Sequence, residues 1–168
     1  MPVKIKGADI VKLVLSLVAC QCAGIIGSFF TITSIPTWYT TIHKPSFTPP
    51  NWVFGPAWIT LYLLMGIAAF FVWRKGLDKP GVVGALTLFL IQLILNASWS
   101  IGFFGFQSPV AGFVIILFLW IAILFTILKF FRLSITGGVL LIPYILWVTF
   151  AAVLNVSVWL LNRGAGVS

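Results

Sequence analysis

Five apolar runs divide the chain, at residues 9–32, 53–73, 81–104, 109–128 and 134–161, and charged or Pro/Gly-rich breaks separate them. Each has about the 20 residues that a helix needs to cross ~30 Å of hydrocarbon. The polar positions inside these runs follow a helical rather than a strand period. Gln92, Asn96 and Trp99 fall at i, i+4 and i+7 along one face of the third run. Pro143, Trp147, Ala151 and Asn155 repeat every four residues on the fifth, and Trp58, Tyr62 and Met65 share a face of the second. The pattern predicts an all-α fold, an integral membrane bundle of five transmembrane helices built as one domain over residues 1–168. The first run is preceded by Lys4 and Lys6, keeps Gln21 in its apolar core and shows no small-residue cleavage signature. It reads as a retained helix rather than a signal peptide.

The breaks carry information of their own. Pro45, Pro49, Pro50 and Pro56 crowd the entry to the second run. Each lacks an amide donor and fixes φ, so the segment before Trp52 is expected to be a stiff, extended turn that caps a pocket as a lid. Pro143 is expected to bend the fifth helix and widen the mouth of that pocket. Gly81–Ala85 and Ser98–Gly102 are small-xxx-small pairs that permit close helix approach. Internal packing and a homodimer contact both fit that pattern.

Composition makes the bilayer the solvent. Of 168 residues, 61% are hydrophobic and 7% charged, and the mean hydropathy is +1.18. A soluble domain carries about 25% charged residues. The net charge of +8 comes from ten Lys/Arg against Asp9 and Asp78. These cations sit at the ends of apolar runs and form no basic stripe, which argues against a nucleic-acid partner. Placing the N-terminus in the cytoplasm puts Lys4, Lys6, Lys12, Arg74, Lys75, Lys79, Lys129 and Arg132 inside, with Lys44 and Arg163 outside. The C-terminus and the 33–51 loop then face outward. Trp38, Tyr39, Trp52, Trp73 and Trp159 fall near span ends, where amphipathic rings anchor at headgroup depth. Trp120 is expected to face lipid.

Candidate chemistry is narrow. Neither acid lies deep in a span, so no buried carboxylate pair is available for acid–base work or a proton relay. The single histidine, His43, is in the outer loop with no carboxylate near it in sequence, and no metal or nucleophile constellation is expected there. Cys20 and Cys22, two apart, point to different helix faces and imply no disulfide. Unpaired amides in hydrocarbon cost several kcal/mol, so Gln92, Asn96 and Asn155 must point inward. They serve either as helix-to-helix hydrogen bonds or, with the aromatics on the same faces, as orienting groups of a concave apolar site for a flat ligand.

Three stretches also carry a family resemblance. KPSFTPPNWVFGPAWITLYLLMGIAAFFVW at 44–73, LNASWSIGFFG at 95–105 and LLIPYILWVTFAAVLNVSVW at 140–159 resemble, in the same order, the motifs of the TspO/translocator-protein family of tryptophan-rich sensory proteins. The resemblance covers roughly residues 10–162. It implies a five-helix membrane receptor that binds porphyrins such as protoporphyrin IX and similar flat hydrophobic ligands, without a cofactor. Carried over motif by motif, the ligand-binding positions are Trp38, Tyr39, Trp58, Asn96, Trp99, Trp147 and Ala151, and Tyr62 joins them from its place beside Trp58. The resemblance ties Trp58 and Trp147 to light-dependent oxidative porphyrin breakdown, the catalytic reading. Sensing, transport and photo-oxidative turnover all stay open, and so does pairing of His43 and Lys44 with porphyrin propionates. Val156 and Leu160 stand where animal members carry the Tyr and Arg of a cholesterol motif. That departure points away from steroid handling and toward a prokaryotic-type member in a cell membrane.

Overall fold

A computed structural model describes residues 7–164 of the chain. Lys4 and Lys6, two of the cations used for orientation, lie outside the described residues. Helix α1 spans Gly7–Ser34, a short helix α2 spans Trp38–Thr41, and α3 spans Asn51–Trp73. Next come α4 (Val82–Ser100), a π-helical turn (Ile101–Gly105), α5 (Pro109–Leu133), α6 (Ile135–Leu140) and α7 (Ile142–Asn162). Five stretches are long and apolar enough to cross a membrane: α1, α3, α4 with its π turn, α5, and α6 with α7. The chain is an integral membrane helix bundle.

The boundaries differ from the expected ones where polar residues stay helical. The fourth span runs to Leu133 rather than 128, because Lys129 and Arg132 continue the helix while their long side chains reach toward the polar boundary. Ser134 stops it and starts α6, its hydroxyl accepting from the Gly137 amide at 3.2 Å. The expected bend at Pro143 is instead a break at Leu141, two residues earlier. Pro143 falls in the first turn of α7, where a missing amide costs no intrahelical bond. That break lies at the end of the bundle opposite the 33–50 loop, so it does not widen the mouth there. Gly81 is likewise no packing residue. It caps α4 with φ +89°, a left-handed conformation that suits glycine.

The packing divides the bundle into a solid half and a hollow half. At the cation-rich end, Met65, Val72, Val82, Ala85, Ile123 and Phe130 are fully buried, and the rings of Phe89 and Phe130 stack at 5.7 Å. Arg74 pairs there with Asp9 at 3.7 Å. Glycines set the close approach of α1 to α3. A methyl on Gly66 would sit 2.9 Å from Leu17 Cα, and one on Gly24 would sit 2.6 Å from the Tyr62 ring. Towards the loop end a cavity lies between the helices, and aromatic side chains meet across it.

The α1–α3 seam yields a direct test. Gly66→Ala must push two backbones apart, an overpacking cost of about 1–3 kcal/mol. Gly55, with nothing within 4 Å of a built Cβ, serves as the control. In detergent thermal unfolding, Gly66→Ala is expected to lower Tm by several degrees, and Gly55→Ala to leave it unchanged or raise it.

Candidate functional site

The hollow half encloses a cavity of about 500 Å³, within the range of about 300–1,000 Å³ usual for small-molecule sites. Helices α1, α3, α4 and α7 and the π turn line it. Trp58 is the hub. Its ring lies 5.6 Å from Tyr62 in a stacked arrangement, 6.3 Å from Trp99 and 6.5 Å from Trp147, the last edge-on. Trp99 in turn stacks on Phe103 at 5.7 Å. Offset and edge-to-face pairs at these spacings are favourable beyond the area they bury.

Local backbone features place these rings. The π turn inserts one extra residue after α4, so its last amide bond runs from Phe106 N–H back to Ile101 O at 2.8 Å. The Phe104 carbonyl at this turn accepts from the Ser34 hydroxyl of α1 at 2.7 Å. Phe103 and Phe104 thereby both reach the cavity wall. Trp99 is oriented by its indole N–H, which donates to Asn155 Oδ1 at 3.2 Å, while Asn155 Nδ2 donates to the Pro109 carbonyl at 2.7 Å.

Of the residues expected at the site, Tyr39, Trp58, Tyr62, Trp99, Trp147 and Ala151 all line the cavity. Two do not. Trp38 is on α2 but packs its ring against the far side of Phe103, at 5.5 Å. Asn96 sits behind the wall, where it accepts from the Tyr62 hydroxyl and donates to the Tyr144 hydroxyl at 2.8 Å. The Tyr144 hydroxyl donates in turn to Gln92 Oε1 at 2.8 Å. Asn96 therefore has the helix-to-helix role. The shared periodicity placed it on the correct face but gave no measure of depth. Trp120 is half-buried and donates to Thr149 Oγ1 at 2.8 Å, where a lipid-facing ring was expected.

Gly24, Thr31 and Ser100 on the wall were not anticipated. The first helix shows no aromatic or amide stripe, and only its small residues and the isolated Gln21, which also lines the cavity, could have marked a wall. Phe103 and Phe104 lie in the SIGFFG stretch, but a π turn has no reliable sequence signature.

The roof also differs from the expected one. Residues 44–50 of the proline hook do not line the cavity, which is lined at this end by Ile35 and Tyr39 and by Asn51 and Trp52, where the hook enters α3. The hook acts indirectly through Phe47, whose ring packs on Phe150 at 6.3 Å, next to Trp147. Lys44 places its ammonium 2.6 Å from the Tyr39 carbonyl and 4.7 Å from the Tyr39 ring. Burial pushes the Tyr39 phenol up to about 12, so it stays protonated beside the Lys44 ammonium. A clip secures this loop. Asn162 at the end of α7 accepts from His43 N–H at 3.0 Å and donates to His43 O at 2.9 Å. On the side, Ile25 and Ile32 of α1 and Ile59 of α3 both line the cavity and are more than half exposed. The cavity therefore opens laterally between α1 and α3.

Comparison with known proteins agrees with this architecture. A profile described as the TspO/MBR family matches residues 16–160. The chain is 47% identical over 154 residues to the tryptophan-rich protein TspO of Archaeoglobus fulgidus, covering 92% of this chain and 99% of that protein. It is 39% identical over 147 residues to protein CrtK of Rhodobacter capsulatus, 88% and 90% of the two chains. Against the human translocator protein it is 37% identical over 141 residues, 83% of each.

The clip generates a prediction. Asn162→Ala removes both hydrogen bonds to the His43 backbone. Hydrogen exchange at residues 42–46 is expected to accelerate about tenfold or more, as local opening becomes cheaper by about one or two hydrogen bonds. Exchange within α5 should stay unchanged.

Proposed function

The chain belongs to the TspO/MBR family, and on that premise we propose that it binds porphyrins such as protoporphyrin IX, and like flat hydrophobic molecules, in the aromatic cavity. The convergence of Trp58, Trp99 and Trp147 on one 500 Å³ hollow carries this reading. A planar ring system gains most from stacking on electron-rich indoles, and a cavity with few polar atoms favours a ligand with few of them. Tyr39 and Ala151 supply the roof and one side wall. Trp38 and Asn96 act from behind the wall, holding Phe103 and Tyr62.

The expected setting is a cell membrane with the N-terminus in the cytoplasm and the clipped loop outside, as a single domain over the full chain. Among the described residues, Lys12, Arg74, Lys75, Lys79, Lys129 and Arg132 lie at one end, and Lys44 and Arg163 at the other. That asymmetry supports the orientation. Binding or sensing of a tetrapyrrole needs only the pocket, whereas transport would in addition give ligand flux across proteoliposomes.

A second reading, light-dependent oxidative turnover, draws on the Trp58 contacts. A bound porphyrin is its own photosensitiser, and Trp58 and Trp147 would be the first oxidisable groups it meets.

One experiment tests both. Purified protein is titrated with protoporphyrin IX in the dark and under illumination, wild type beside Trp58→Phe and Trp147→Phe. Dark affinity is expected to fall about three- to tenfold in each variant, the scale of one aromatic contact. Equal affinity in wild type and both variants would place the porphyrin elsewhere. Under light, porphyrin fluorescence that decays with wild type and persists with the variants supports turnover, while equal decay in all three leaves binding alone.

A further inference from the structure

Behind the cavity wall runs a buried chain of four hydrogen-bonding side chains in which every donor points the same way. Tyr62 donates to Asn96, Asn96 to Tyr144, and Tyr144 to Gln92. All four are buried, Asn96 and Gln92 at 1% exposure. The chain ends unsatisfied. Gln92 Nε2 has no hydrogen-bond partner although it is fully buried. An orphaned amide donor in hydrocarbon is expensive, and orphaned carbonyl oxygens are the better tolerated of the two.

We propose that this chain is reversible, and that its polarity sets whether the cavity floor offers a ligand a hydrogen-bond acceptor or a donor. A half-turn of the Gln92 and Asn96 amides, with rotation of the two hydroxyls, reverses every bond without moving a heavy-atom framework. Gln92 Nε2 then donates to Tyr144, Tyr144 to Asn96 Oδ1, and Asn96 Nδ2 to the Tyr62 oxygen. The orphan donor on Gln92 is satisfied, and the Tyr62 proton is released.

Tyr62 is the one member of the chain among the cavity-lining residues, and its hydroxyl, at the edge of that wall, is taken as the point where a ligand reads the polarity. In the arrangement described above, its proton is committed to Asn96 and its remaining lone pair can accept from a ligand N–H. In the reversed arrangement it donates to a ligand nitrogen or carbonyl oxygen. The first arrangement leaves Gln92 Nε2 without a partner, and the second leaves the Gln92 carbonyl, the better tolerated orphan, together with the Tyr62 proton. A ligand that supplies the missing partner at Tyr62 tips the balance. The same floor would thus receive flat aromatic ligands of either hydrogen-bonding sense and bind both more tightly than a pure hydrocarbon of the same shape.

This inference rests on the cavity being a ligand site, and its test uses probes independent of porphyrin. Carbazole carries a ring N–H donor, and acridine, at a pH where it is neutral, carries a ring nitrogen acceptor. Fluorene and anthracene are their hydrocarbon blanks. Binding is followed by quenching of tryptophan fluorescence in detergent-solubilised protein. Wild type is expected to bind carbazole over fluorene, and acridine over anthracene, each by about three- to tenfold, the scale of one neutral hydrogen bond. Tyr62→Phe should erase both preferences.

The decisive variant is Gln92→Leu. It removes the far acceptor, so the Tyr144 proton has only Asn96 Oδ1 left in the chain and the reversed polarity is locked. The acridine preference should survive and the carbazole preference should vanish. Equal loss or equal retention of the two preferences in Gln92→Leu would overturn the proposal, as would their absence in wild type or their persistence in Tyr62→Phe. Should protoporphyrin IX fail to bind while this pattern holds, the porphyrin assignment falls and the reversible floor stands.

Discussion

Hydrocarbon leaves a polar side chain no water to fall back on, and this constraint organises the bundle. An unpaired amide there costs several kcal/mol. Asn96 and Asn155 each meet that demand by hydrogen-bonding across to neighbouring helices. Asn96 connects α3 through Tyr62 to α7 through Tyr144. Asn155 connects Trp99 of α4 to the first turn of α5 at Pro109. These bonds lie in or beside the hollow half, where no packed core does the same work. Lipid tails are as apolar as the side chains, so helix association must come from packing and polar contacts rather than from expulsion of water. Glycines allow close approach in both halves, and the hollow half adds amides and rings.

The division accounts for how a cavity persists in a fold this small. Trp58, Trp99 and Trp147 are large enough to span the gap between the helices and touch one another across it. The π turn at Ile101–Gly105 adds Phe103 and Phe104 to the same wall, and Ser34 holds its Phe104 carbonyl from α1. Each ring is braced by another ring or by an amide, so the wall is rigid before any ligand arrives. Preorganised walls of this kind lower the ordering cost of binding.

Much of this was legible from the order of residues, and the exceptions have physical causes. Span number and approximate limits follow from hydropathy, because nothing but a helix crosses hydrocarbon unaided. The inward direction of Gln92, Asn96 and Asn155 follows from the same argument, and all three are buried. Depth along a face was not legible. Asn96 and Trp99 share a stripe, yet only Trp99 reaches the cavity, while the Asn96 amide is engaged by the Tyr62 and Tyr144 hydroxyls. The break at Leu141 displaced the expected bend because a proline is cheapest in a first turn, and the chain starts a new helix rather than deform one. The roof was assigned to the prolines because they are stiff. The structure uses that stiffness to hold Phe47, while Ile35, Tyr39, Asn51 and Trp52 line the cavity at that end.

The lateral gap flanked by Ile25, Ile32 and Ile59 sets what "concentration" means for this protein. A greasy solute reaching the hollow through that gap comes from the acyl phase, where partitioning has already enriched it over the aqueous phase. Occupancy then follows moles of solute per mole of lipid. In vesicles of fixed protein content, doubling the lipid would dilute the solute and weaken the apparent affinity, although no contact inside the protein had changed.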